Sequence, residues 1–262
     1  MTLATASAGR RHNLLRHLPA LGFVFAAIAA ALLALGPVGW RAGWWSFHTA
    51  FLYLMPWAAY LGIAAAAVSA VALVFGRSVI NRHGVAVGIV ALVIGGLIAY
   101  VPLHYEGMLG KYPPIDDITT DTADPPAFGP AVVALRQADG GNPSTYQGAK
   151  IAKQQRRAYP DIAPLSLSIA SAQAFSAALD TARRMGWRIV EQDRAAGRIE
   201  ASDRSRWFGF TDDIVIRITA TGSGCHIDMR SASRHGRGDF GVNAARIRAY
   251  MRRLRRSVAR QA

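Results

Sequence analysis

Carboxylates are missing from the first 105 residues: Glu106 is the first, and all sixteen acidic residues lie between it and the C-terminus. An unpaired carboxylate is costly in hydrocarbon, so a stretch without one is a stretch that a bilayer tolerates. A second cysteine is missing too. The lone Cys225 excludes an internal disulfide and leaves the redox compartment open. Neither glycine nor proline is in excess, and an apolar content of 52% excludes a disordered chain. The long apolar runs contain no Asp, Glu, Lys or Arg, which removes the usual marks of a proton path, an ion path or a transporter. The seven histidines form no HxxxH or Cys–His spacing suited to zinc. Neither a metal nor a cofactor is expected.

Three apolar stretches are long enough to cross roughly 30 Å of hydrocarbon as helices: residues 18–35, 51–75 and 85–101. Aromatic residues gather at their ends (Trp44, Trp45, Tyr53, Trp57, Tyr100, Tyr105), where rings lie at headgroup level. Glycines at 62, 88, 95 and 96 permit close helix packing, with Gly95-Gly96 as the expected notch. The first span has a basic lead but no convincing small-x-small cleavage site, so an uncleaved anchor is expected. Basic residues set the orientation. Arg10, Arg11, Arg16, Arg77 and Arg82 fall on one side of the spans, Arg41 and Lys111 on the other. Five against two predicts a multi-pass protein of the cell inner membrane, with a cytoplasmic N-terminus and a periplasmic C-terminal domain.

Three regions follow: a membrane anchor (1–105), an acidic, Pro-rich linker (106–130) and a soluble domain (131–262). The prolines in KYPPIDDITTDTADPPAFGP, residues 111–130, forbid a continuous helix and predict an extended segment lying along the domain. Asp116, Asp117, Asp121 and Asp124 lack EF-hand spacing and are expected to be solvated or to cap turns. Residues 131–158 suggest short helix and loop. Ser171 is placed to cap a helix with Phe175, Leu179, Ala182 and Met185 inward and Gly186 closing it. Residues 187–192, 198–202, 213–219 and 225–229 alternate as strands, which would set Arg217 across from Asp228. Asp239 then caps a helix bearing Ile247, Met251, Leu254 and Val258 at helical spacing. The expected class is α+β: a three-helix transmembrane region, then an antiparallel four-stranded sheet with helices on one face.

The densest polar string runs from Arg230 to Arg248. Its Gly236-x-Gly238-x-x-Gly241 has the form of a dinucleotide fingerprint. No second parallel strand is expected after the helix, however, and Asp239 would repel a pyrophosphate at the helix start. Ser231, Ser233, His235 and Asp239 have the residue types of a hydrolase triad but, crowded into nine positions, are poorly placed to converge. Arg234 and Arg237 either hold a single anion or staple the turn by pairing with Asp212, Asp213 or Asp239. The outward arginines of the last helix are a solvated face or a contact for anionic headgroups; nucleic acid would lie on the wrong side of the membrane.

Four runs resemble a known family: DDITTDTADPPAF at 116–128, AYPDI at 158–162, the stretch 185–218 and the stretch 224–254. The family is catalogued as domain of unknown function 1499. The resemblance spans nearly all of the soluble half, leaves out the spans and implies no activity, cofactor or catalytic residue. The order of elements also looks helix-grip-like, which concerns shape alone.

Asp212, Asp213, Arg230, Ser233, Arg234, Asp239, Asn243 and Arg246 are therefore expected as one polar network around the strand-to-helix turn. The leading reading is a binding or structural role in the cell envelope, with the membrane as integral partner and anionic lipid or another envelope protein as further partners. The alternative is an envelope hydrolase acting on lipid or cell-wall material, with Asp212 or Asp213 as base. A pocket joining those carboxylates to Ser233 would favour the hydrolase; a network consumed in internal ion pairs would favour binding.

Overall fold

The computed structural model of the chain describes residues 2–108 and 110–260, with the side chains of residues 2–13 and of Glu106 outside that description. Arg10, Arg11 and Glu106 in the charge argument thus lie outside the described side chains. The chain divides into two compact units, Met1–Met108 and Leu109–Ala262.

The first unit is three helices: α1 (Thr2–Arg41), α2 (Met55–Phe75), entered through a π-helical turn at Thr49–Leu54, and α3 (Arg82–Glu106). Among the described residues, Leu14–Arg41, Thr49–Phe75 and Arg82–Tyr105 are long and apolar enough to cross a membrane. Their mutual faces are built from small residues. Ala26, Ala65 and Ala91 form one buried layer, and Ala29 and Ala58 pack with Ile98 in another. Large apolar side chains such as Phe23, Val74, Val93 and Leu97 point outward instead. At Gly62 and Gly95 the backbones of α2 and α3 nearly touch: a Cβ on Gly95 would sit 2.6 Å from the Gly62 carbonyl oxygen, and one on Gly62 would sit 2.8 Å from that of Gly95. Gly96 faces open space. The notch is therefore Gly62 with Gly95, and Gly96 takes no part, because adjacent helical residues point about 100° apart.

The second unit is a mixed α/β layer. Its elements are β1 (Asp117–Thr119), α4 (Pro130–Ala138), α5 (Ala149–Ala158), β2 (Leu165–Leu167), α6 (Ser171–Arg184), β3 (Arg188–Asp193), β4 (Arg198–Arg204), β5 (Thr211–Thr221), β6 (Gly224–Ser233) and α7 (Val242–Ala259). The sheet is antiparallel in the order β1-β6-β5-β4-β3, with β2 also on β6. Six strands stand where the sequence pattern marks four. The two additions are three-residue strands laid end to end along the outer edge of β6, too short to show a period of two. The Gln155 amide closes the edge beyond β1, accepting from Thr119 N at 3.0 Å and donating to Thr119 O at 2.6 Å.

Alternation along β5 and β6 sends Ile214, Ile216, Ile218, Ile227 and Met229 to one face, where α6 and α7 cover them. Alanines at 174, 178 and 182 let α7 approach α6, and Trp187 stacks on Tyr250 at 5.2 Å between centroids. Val215 and Ala232 point the other way, onto Phe128 and Val132 of the α4 region, so a smaller layer covers the second face. Ser171 starts α6 but does not cap it: Ala170 holds the cap position and no side chain bonds there. Arg217 and Asp228 face each other in register and pair at 3.1 Å.

Candidate functional site

The eight residues expected as one network form two, on opposite faces of the sheet. Strand alternation divides them. Asp212 and Ser233 lie opposite each other in register and look toward α7; Asp213, Arg230 and Arg234 look away from it.

On the α7 side, Asn243 is fully buried and uses both ends of its amide. Its Oδ1 accepts from Ser231 Oγ and from an Arg246 nitrogen, each at 2.6 Å; its Nδ2 donates to the Asp116 carbonyl and to Ser233 Oγ, each at 3.0 Å. Arg246, one turn along the helix, bonds Asp212 at 2.6 Å and Asp203 at 3.0 Å. Asp239 caps α7 from two residues before its N-cap, accepting from Gly241 N at 2.9 Å and Asn243 N at 2.7 Å. Gly241 sits at φ 80°, and a Cβ there would meet the Tyr112 ring at 2.7 Å. The Gly236-x-Gly238-x-x-Gly241 string is thus a tight strand-to-helix turn. Burial pushes the Asp239 carboxyl up against the lowering pull of its two backbone bonds. Asp116, beside it, is pushed up to about 6 by burial first and by the Asp117 charge second.

On the other face Asp213 is fully buried between two guanidinium groups. Arg136 of α4 reaches it at 2.9 Å, Arg234 grips it with bonds of 2.8 and 2.9 Å, and Ser202 Oγ adds a fourth at 3.0 Å. Arg234 continues to Asp139 at 3.0 Å. Arg234 is a staple, and the turn it fastens runs back to α4. Arg230 is bound by both oxygens of Asp117, at 2.9 and 2.8 Å, and by the carbonyls of Pro126 and Ser144. The Phe128 ring lies 4.6 Å from its guanidinium carbon and the Tyr146 ring 5.5 Å. Farther along this face Glu200, fully buried, accepts from Gly129 N, and burial raises its carboxyl.

Part of each network was invisible in the sequence. Arg136 and Asp117 enter from segments far from the strand-to-helix turn, as does Asn142, which donates to Asp116 Oδ2 at 2.6 Å. Asp116 and Asp117 correct the expectation of solvated acids: both are buried, at 5% and 4% exposure, because β1 pulls them onto the sheet. Asp121 does cap a turn, accepting from Ala123 N and Asp124 N. One signal was available: Arg136 is the single charge in an otherwise apolar turn, VVALR.

Among the described residues no group of three or more His, Cys, Asp or Glu side chains could hold a metal ion. A groove of about 650 Å³ opens between residues 122–128 and 144–156. None of the eight expected residues lines it, although Arg230 stacks behind two of its walls, Phe128 and Tyr146.

The chain belongs to the family described as a protein of unknown function (DUF1499), which matches residues 117–254. The matched segment contains the groove and both networks apart from Asp116, and leaves out the three apolar helices. No curated protein matches the chain.

Proposed function

We propose that this chain is an inner-membrane protein that presents its mixed α/β domain on the periplasmic side, in the cell envelope, and acts there by binding rather than by catalysis. One observation carries the binding half of the reading. The carboxylates of the strand-to-helix cluster are already committed: Asp212 to Arg246, Asp213 to Arg136 and Arg234, Asp239 to two backbone N–H groups, and Asp116, the one raised to about 6, to the Asn142 amide at 2.6 Å. Ser233 Oγ bonds Asn243, and the neighbouring Asp213 points to the opposite face, so no free base stands beside a nucleophile. Buried and mutually satisfied charges of this kind specify a fold and leave little over for proton transfer. The hydrolase alternative has no observation in its favour.

The excess of arginine beside one set of helix ends supports the periplasmic side. Arg252, Arg253, Arg255 and Arg256 stand exposed on α7, a surface suited to anionic headgroups or to an acidic envelope protein. Fusions of alkaline phosphatase and of a fluorescent protein to the C-terminus test the topology. An active phosphatase with a dark fluorescent partner is expected; the reverse pattern puts the domain in the cytoplasm and removes the envelope role.

A further inference from the structure

The groove lies in the matched segment, backed by Arg230 but lined by none of the paired charges, and its formal charge is of one sign. Arg156 is the one formally charged side chain among its lining residues, and no acidic residue lines it. Arg156 is exposed, donates to Thr122 Oγ1 at 2.8 Å, and has no carboxylate within ion-pair distance among the described residues. The contrast with Arg136, Arg230, Arg234 and Arg246 is sharp, since each of those is matched to an aspartate.

A second donor points the same way. Tyr146 lines the groove, and its hydroxyl is buried with no hydrogen-bond partner among the described residues. Burial first and the Asp117 charge second hold that phenol up at about 12, against the pull of Arg230 and Arg156, so it remains a donor at any physiological pH. A buried donor without an acceptor is costly, and an acceptor arriving from outside relieves it. The rest of the wall sets apolar Phe128, Pro125, Ala127 and Ala152 beside the hydroxyl-bearing Thr122, Ser144 and Thr145. The volume falls within the roughly 300–1,000 Å³ of small-molecule sites. Two donors, one of them cationic, beside a wall that is apolar on its Phe128 and Pro125 side suit an anionic head on a body with an apolar face.

We propose that this groove binds an organic phosphate monoester with an apolar body, Arg156 serving as counter-ion, the Tyr146 hydroxyl as second donor and Phe128 as apolar wall. The proposal deepens the binding reading and rests on it. Such a head occurs on soluble metabolites and on lipids alike, so the source is left to the experiment.

The full chain in zwitterionic nanodiscs is titrated calorimetrically with phenyl phosphate, inorganic phosphate and benzyl alcohol. Saturable binding of phenyl phosphate is expected, with inorganic phosphate weaker and benzyl alcohol silent. Arg156→Ala should weaken phenyl phosphate by about tenfold or more, since one charge-assisted bond is lost. Ala149→Trp, at an exposed groove position, should abolish binding by filling the space, with near-ultraviolet circular dichroism showing that the fold is kept. Competition from nanodiscs containing phosphatidic acid assigns the site to a lipid head; undiminished binding there assigns it to a free monoester. Absence of saturable binding, or binding that survives both substitutions, overturns the proposal. The phosphatase fusion reads topology separately, so an inverted fusion pattern with intact binding sinks the envelope role alone.

Discussion

In Met1–Met108 helix meets helix through alanine and glycine, with carbonyl oxygens of α2 and α3 close enough to exclude a Cβ. In Leu109–Ala262 element meets element through arginine and aspartate, buried in pairs on both faces of the sheet. The difference follows from the solvent each unit is composed for. Apolar helices in lipid gain little by hiding apolar surface from one another, so they cohere through shape and close approach. The α/β unit has an ordinary apolar core on the α6–α7 side, and ion pairs on both faces add specificity: Asp213 takes Arg136 and Arg234, Asp117 takes Arg230 and Asp212 takes Arg246. One unit is held by the absence of side chains, the other by matched side chains.

The largest effect should come from breaking a match. Asp213→Ala leaves Arg136 and Arg234 buried without their shared carboxylate, at a cost of about 3–5 kcal/mol. Hydrogen exchange of the full chain, read on β5 and β6 peptides, measures it. Asp212→Ala should cost clearly less, because Arg246 retains Asp203; equal costs would mean that Asp203 does not make up for the lost Asp212 carboxylate.

Next in size is a test of the gap. Gly95→Leu forces a side chain into the Gly62 backbone and should destabilise the helix pair by about 1–3 kcal/mol. Gly96→Leu, one residue on, should change little, since nothing lies within 4 Å of its Cβ position. Exchange of α2 and α3 peptides separates the two, and like effects at both positions would refute the close approach.

The smallest effect concerns pH. The folded-state pKa of Asp116, at about 6, is raised above its unfolded value, so the folded chain holds that proton more tightly. The stability it contributes is complete below the ordinary carboxylate range and is lost as pH rises through about 6. Asp116→Asn should remove that slope and leave the domain more stable at neutral pH by about 1–2 kcal/mol. An unchanged slope between pH 4 and 6 would assign the effect to another acid, with Glu200 and Asp239 the other raised carboxyls on the sheet.

Local pattern made much of this legible in advance. Apolar runs of membrane length, the alternation of Ile214, Ile216 and Ile218, and the four-three-four spacing on α7 each express a period contained in one element. The same period of two sets the adjacent Asp212 and Asp213 on opposite faces of β5, and the expectation of a single network overlooked it. What escaped was everything carried by short or distant pieces. A three-residue strand has no period to read, so β1 and β2 stayed hidden, and with β1 the burial of Asp116 and Asp117.

Composition and periodicity alone therefore determined the two-part nature of the chain, the antiparallel strands and the amphipathic closing helix, because each depends on which neighbours in sequence are apolar. Tertiary structure alone decided which arginine holds which aspartate, which of two adjacent glycines is the notch, and that Arg156 is left facing a groove without a carboxylate. Those outcomes depend on residues dozens of positions apart sharing a few ångströms of space, and no local rule encodes that distance.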